Sequence, residues 1–227
     1  MVGQALALAA SSGLDVVVAP VLAYGYRSRP LSGGGQGFPG TVSLRGATLT
    51  QVVVDIVNEF RRTGFRKIVL LAHHMENQNW IYEAAYESVG LRPSDGARAM
   101  IIESPYPEWS PELSAVVYPD GPPPFGTDHA AIVETSLMMH VRPDLVRTDL
   151  IADDAPPRLP GYDLMPIPEG FTAASGVLSR AEGASREIGQ RCFDEIATYL
   201  HGMIRDALFT DADFAGVPVA MDADRLA

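Results

Sequence analysis

Lysine is nearly missing from this 227-residue chain: Lys67 is the single one. Basic residues number 17 against 28 acidic ones, for a net charge of −11. That balance argues against nucleic acid as the main partner, because phosphate binding needs a basic face. It also excludes a lysine-rich membrane patch. Cysteine is equally scarce. Cys192 alone rules out an internal disulfide framework and a multi-cysteine metal cluster, and it reads as a buried thiol on a late helix. No apolar run approaches the ~20 residues of a membrane span. The opening stretch, Met1 to Ala10, lacks a positive leader region and is followed at once by a strand-like run. It reads as a first helix, and the cytoplasm is the expected compartment.

Hydrophobic residues make up 47% of the chain and charged ones 20%, a globular balance that can bury a sizeable core. A single domain over 1–227 is expected. Hydrophobic period and punctuation alternate between strand and helix. Residues 3–12 read as a helix, 16–19 as a short buried strand and 24–46 as an irregular stretch with seven glycines. A helix follows over 48–63, with Thr48 or Thr50 able to cap it and Gly64 closing it. Residues 67–72 read as a second strand, 77–89 as a helix and 97–103 as a third strand. Proline-rich loops fill 104–126, and helices fit 129–140 and 179–208. Strand–helix–strand spacing of this kind implies a parallel sheet with helices on both faces. Ligands in such sheets bind at the carboxyl ends of the strands. The loops leaving those ends are 20–46, 72–77 and 104–128.

The residues able to do chemistry fall in these loops. His73, His74, Met75, Glu76 and Asn77 form a strand-to-helix turn. On extended backbone His74 and Glu76 project to the same side, as a pair of metal ligands or an acid/base pair. The alternative is a polar turn whose Asn77 caps the next helix. Farther on, Thr127, Asp128, His129 and Glu134 surround the start of a helix. Glu134 can pair with His129 and fix its tautomer. Equally, Asp128 or Thr127 can cap the helix and leave His129 on the surface. The glycine-rich run from Ser32 to Gly40 lets backbone approach a ligand, yet it is neither a phosphate loop nor a dinucleotide fingerprint. His140 and His201 sit within helical patterns and read as packing residues. The acidic residues Asp211, Asp213, Asp222 and Asp224 read as a solvated tail.

Several of these motifs belong together. Tyr24-Gly25-Tyr26-Arg27-Ser28, Ser32-Gly33-Gly34-Gly35, Phe38-Pro39-Gly40-Thr41 and Gly46-Ala47-Thr48-Leu49-Thr50 resemble segments of the creatininase (creatinine amidohydrolase) family. So do His74-Met75-Glu76-Asn77, Asp128-His129 with Glu134-Thr135-Ser136-Leu137, Pro143-Asp144-Leu145-Val146 and Tyr162-Asp163. The resemblance implies a three-layer α/β/α sandwich with a mostly parallel central sheet. It implies two divalent metal ions, Zn²⁺ or Mn²⁺, and a metal-activated water that opens a small cyclic amide, creatinine or a related compound. His74 and Glu76 are then metal ligands, one on each ion, and Glu76 belongs to the catalytic set. His129 is the proton shuttle, steadied by Glu134, and Ser32 touches the substrate. The implied partners are a small-molecule substrate and other copies of the chain, in a hexamer built as a trimer of dimers.

The family also carries an N-terminal strand with a Glu-x-His pair and, farther on, an Asp, which supply three more metal ligands. No Glu-x-His occurs upstream of residue 74, so either a segment carrying that strand and those ligands precedes this sequence or the protein lacks them. Positions that hold Gly, Tyr and Trp in close relatives are here His73, Met75 and Phe125, and an Asp is replaced by Gly126. These substitutions open the way to a cyclic amide other than creatinine. A formamide hydrolase is the alternative enzyme, against which the Ser-Gly-Gly-Gly stretch speaks. The alternative from another class is a chain that keeps the fold and only assembles or binds.

Overall fold

A computed structural model describes residues 1–29, 35–37, 40–102, 104–124, 127–151, 161–170 and 174–210. Two strands, β1 (Lys67–Leu71) and β2 (Arg98–Ile102), pair in parallel with Lys67 opposite Arg98 and Leu71 opposite Ile102. Side chains alternate across a strand, and that alternation divides the core in two. Ile68 and Leu70 pack with the helices α2 (Gly46–Arg62) and α3 (Gln78–Ser88), through Leu49, Val53, Val57 and Ala84. Val69, Leu71, Met100 and Ile102 face the other way. There they meet α1 (Val2–Ala10), α4 (Pro111–Val117), α5 (Ile132–Val141) and α6 (Arg186–Leu208). The result is the expected α/β sandwich, with helices on both faces of parallel strands.

Residues 16–19 depart from expectation. They are not a strand, and Val17 is 76% exposed. Among the described residues no neighbouring strand pairs with them. A run of valines has nothing to ladder with in that case, and its backbone is better satisfied by water. Other boundaries move by a few residues. Helix α2 begins at Gly46, with Arg45 at the cap and no side-chain capping bond, so neither Thr48 nor Thr50 caps it. A Cβ on Gly46 would lie 2.4 Å from the Trp80 ring, so only glycine admits the indole there. Within the loops expected over 104–126, α4 forms. Its start is legible in Ser110-Pro111-Glu112: Ser110 accepts from the Leu113 N–H, and proline occupies the first turn. Glu195 on α6 also accepts from both the backbone N–H and the hydroxyl of Ser110.

Helix α6 buries Gly189, Cys192, Ile196, Leu200, Ile204 and Leu208 along one stripe. Burial pushes the Cys192 thiol up to about 12, which suits a packing residue rather than a nucleophile. His201 binds the Ala10 carbonyl through Nδ1 at 3.0 Å, and the His140 ring packs 5.3 Å from Phe193. Helix α5 crosses α6 at Gly189, where a Cβ would fall 1.9 Å from the Ser136 carbonyl oxygen. Gly189→Ala is therefore expected to lower stability by about 1–3 kcal/mol, the range for overpacking a filled core. Urea unfolding measures it. A change within about 0.5 kcal/mol, typical of surface substitutions, would show that the two helices have room to part.

Candidate active site

The carboxyl end of β1 runs straight into the turn His73–Asn77, and a short 3₁₀ turn, Met75–Asn77, leads on to α3. Asn77 occupies the cap position of α3, but its side chain does not cap that helix. Its Oδ1 accepts the Tyr26 N–H at 2.8 Å, tying the 20–29 loop to the turn. The fit is close, since a Cβ on Gly25 would lie 2.9 Å from Asn77 Oδ1. The same loop supplies the Arg29 N–H, which donates to Glu76 Oε1 at 2.7 Å.

The other carboxylate oxygen is the informative one. Glu76 Oε2 is buried without a hydrogen-bond partner, 3.7 Å from His74 Nδ1. The Glu76 side chain is only 8% exposed and that of His74 is 37%. Leaving a buried carboxylate oxygen unpaired is costly. An orphaned carboxylate oxygen beside an imidazole nitrogen thus has the donor chemistry a divalent cation takes. His74 and Glu76 fit as part of such a donor set. Among the described residues, no group of three or more His, Cys, Asp and Glu side chains is placed to hold a cation.

The 127–131 segment holds His129 beside this turn. Its ring stands edge-on to His74, with centroids 6.1 Å apart and planes at 88°. Helix α5 begins at Ile132 rather than at 129, with Ala131 at its cap and no side-chain cap, so neither Thr127 nor Asp128 caps it. Asp128 instead accepts a short hydrogen bond from the Tyr118 hydroxyl. Ala130 holds a left-handed φ of 51°, and Glu134 Oε2 accepts the Ala130 N–H at 2.5 Å. Among the described residues, no hydrogen bond joins Glu134 to the His129 ring. The expected pairing of those two is replaced by a backbone contact.

His73 does not join this cluster by a hydrogen bond. Its Nε2 lies 3.4 Å from the Tyr106 hydroxyl, and a Cβ on Gly3 of α1 would come within 3.3 Å of its own Cβ. Burial holds the ring pKa down at about 4, so the imidazole is neutral near pH 7. Met75 is 49% exposed. Ser32 and Phe125 lie outside the described residues, as do Phe38, Pro39 and the acidic tail from Asp211. Reading the sequence missed Tyr106 and Tyr118. Burial raises both phenols above the usual tyrosine range, which keeps them protonated as donors. The available signal was their place in a proline-rich loop at a strand's carboxyl end.

Parallel strands under helices on both faces, with a His–Glu turn closing one strand and a histidine brought across to it, define an α/β protein whose candidate site lies at the carboxyl end of a strand. The creatininase family profile, described as creatinine amidohydrolase, matches residues 1–204. Creatinine amidohydrolase of Pseudomonas putida is 37% identical over 196 residues, covering 85% of this chain and 75% of that protein. The mycofactocin precursor peptide peptidase of Mycolicibacterium smegmatis (strain ATCC 700084 / mc(2)155) is 32% identical over 187 residues, 80% of this chain and 64% of that protein. A crystal structure of creatinine amidohydrolase (creatininase) superposes with a TM-score of 0.84 at 33% identity, covering 92% of this chain and 82% of the other. Solved creatininases similar to this chain include a Zn-Zn type and a Mn form. The chain belongs to the creatininase family and is a hydrolase acting on C–N bonds. Among the described residues, no helix is long and apolar enough to cross a membrane.

Proposed function

We propose that this hydrolase is metal-dependent and opens a small cyclic amide, creatinine or a related compound. The observation that carries the reading is the buried, unpartnered Glu76 Oε2 facing His74 Nδ1, with the His129 ring beside them. His74 and Glu76 would hold divalent metal, Zn²⁺ or Mn²⁺. When bound, such a cation polarises the amide carbonyl and lowers the pKa of water toward neutrality. Glu76 is kept in place by the Arg29 N–H on its other oxygen. His129 carries the proton from the attacking water to the leaving nitrogen, the general acid–base role that an imidazole can take. Tyr106 holds the neutral His73 ring away from that path.

The reading includes assembly into a homo-hexamer, a trimer of dimers. A second reading, hydrolysis of a peptide C–N bond, is favoured by the 32% identical peptidase. Assays of the full chain with added Zn²⁺ or Mn²⁺ against creatinine, hydantoins, formamides and short peptides separate the readings. Metal-stimulated opening of a cyclic amide is the expected result. Cleavage of peptides alone would establish the second reading, and turnover unaffected by chelator would remove the metal from the proposal.

A further inference from the structure

The segment before α5 is pinned at several points. Tyr118 holds Asp128 by its side chain. The Leu178 N–H donates to the His129 carbonyl at 3.1 Å, and the Ile132 N–H donates to the Arg180 carbonyl at 2.9 Å. Between these points Ala130 takes φ 51°, a conformation that costs an L-residue free energy and is routine only for glycine. Something must hold it there. The Ala130 N–H is the group turned by that dihedral, and Glu134 Oε2 accepts it at 2.5 Å. We propose that Glu134 is a positioning residue acting through the backbone: its carboxylate clamps the Ala130 N–H and fixes the left-handed turn that sets the His129 ring edge-on to His74. The inference rests on the reading of His129 as the proton carrier. It differs from a carboxylate that orients an imidazole directly. It also differs from ordinary helix capping, because the bonded N–H lies one residue before the cap position at Ala131.

The test uses Glu134→Ala, Glu134→Gln and Glu134→Ala combined with Ala130→Gly, all in the full chain. A first readout needs no substrate. In the wild type the Ala130 amide proton is expected to exchange slowly and to resonate downfield. Glu134→Ala loses both properties while the Leu137 amide inside α5 stays protected. The second readout is hydrolysis of creatinine. Glu134→Ala lowers kcat by about 10–100-fold, the range for supporting residues, with KM little changed. Glu134→Gln stays close to wild type, because its amide oxygen still accepts the N–H. Adding Ala130→Gly to Glu134→Ala restores about 5–30-fold, since glycine adopts positive φ without the penalty. The proposal is overturned if Glu134→Gln is as impaired as Glu134→Ala, which would require the charge itself. It is overturned equally if the double variant gains nothing over Glu134→Ala, or if the Ala130 amide is unchanged in Glu134→Ala. A general loss of protection through α5 would reduce Glu134 to a helix cap. Full creatinine turnover by His129→Ala would sink the reading of the site instead, and the amide exchange would still judge the clamp alone.

Discussion

His129→Ala is expected to lower kcat by about 10²–10⁴-fold, the usual share of general acid–base catalysis, with bound metal unchanged. The ring is placed for this. It stands edge-on to His74 with centroids 6.1 Å apart, on a turn secured through Asp128, the His129 carbonyl and Ala130. None of those tethers uses the imidazole nitrogens, so both remain available to a proton. Truncation to alanine therefore removes the proton carrier and leaves the turn standing. Steady-state kinetics with metal analysis of the same preparation decide the matter. Loss of metal on truncation would make His129 a ligand, and an unchanged rate would place the proton transfer elsewhere.

Glu76→Gln is expected to abolish tight Zn²⁺ or Mn²⁺ binding and turnover while leaving the fold intact. The physical argument separates the two carboxylate oxygens. Oε1 accepts the Arg29 N–H, a bond that a glutamine carbonyl can keep. Oε2 is the buried oxygen with no partner, and an amide NH₂ in its place cannot ligate a cation. The loss of affinity should exceed the about 10–100-fold that follows removal of an outer supporting group. His74→Ala should weaken binding in the same direction, because His74 Nδ1 lies 3.7 Å from that oxygen. Calorimetric titration with Zn²⁺, alongside thermal unfolding, measures both effects. If Glu76→Gln binds metal as the wild type does, the orphaned oxygen has another purpose and the donor assignment fails.

Much of the fold was legible in the sequence because local pattern and global packing agree. The stripe Cys192, Ile196, Leu200, Ile204 recurs every four residues and is buried as one seam of α6. The continuous apolar runs at 68–71 and 99–102 both lie in strands, as residues covered on two faces should. Helix α4 is not marked by the hydrophobic pattern, although Ser110-Pro111 carries a start signal, because it spans only 7 residues and sits amid prolines. The run at 16–19 shows the opposite failure. Its composition favours a strand, but a strand exists only through its neighbour's hydrogen bonds, and no residue of the run itself encodes that neighbour.

The same division holds at the site. By itself the sequence determined the chemistry on offer: a His-x-Glu pair at the end of a strand, and a histidine and a glutamate about a helix start. Those are properties of residue type and short spacing. Which of these groups meet was decided by tertiary structure. His74 faces Glu76 across a turn held by the Tyr26 and Arg29 amides, from a loop 47 residues or more away in the chain. His73, adjacent in sequence, is drawn off toward Tyr106, 33 residues away. Glu134 reaches the Ala130 backbone instead of the His129 ring because Ala130 turns left-handed. Strand and helix periods set which side of an element a residue occupies. The partner across a loop depends on how the loops close over the strand ends, and that is settled only when the whole core packs.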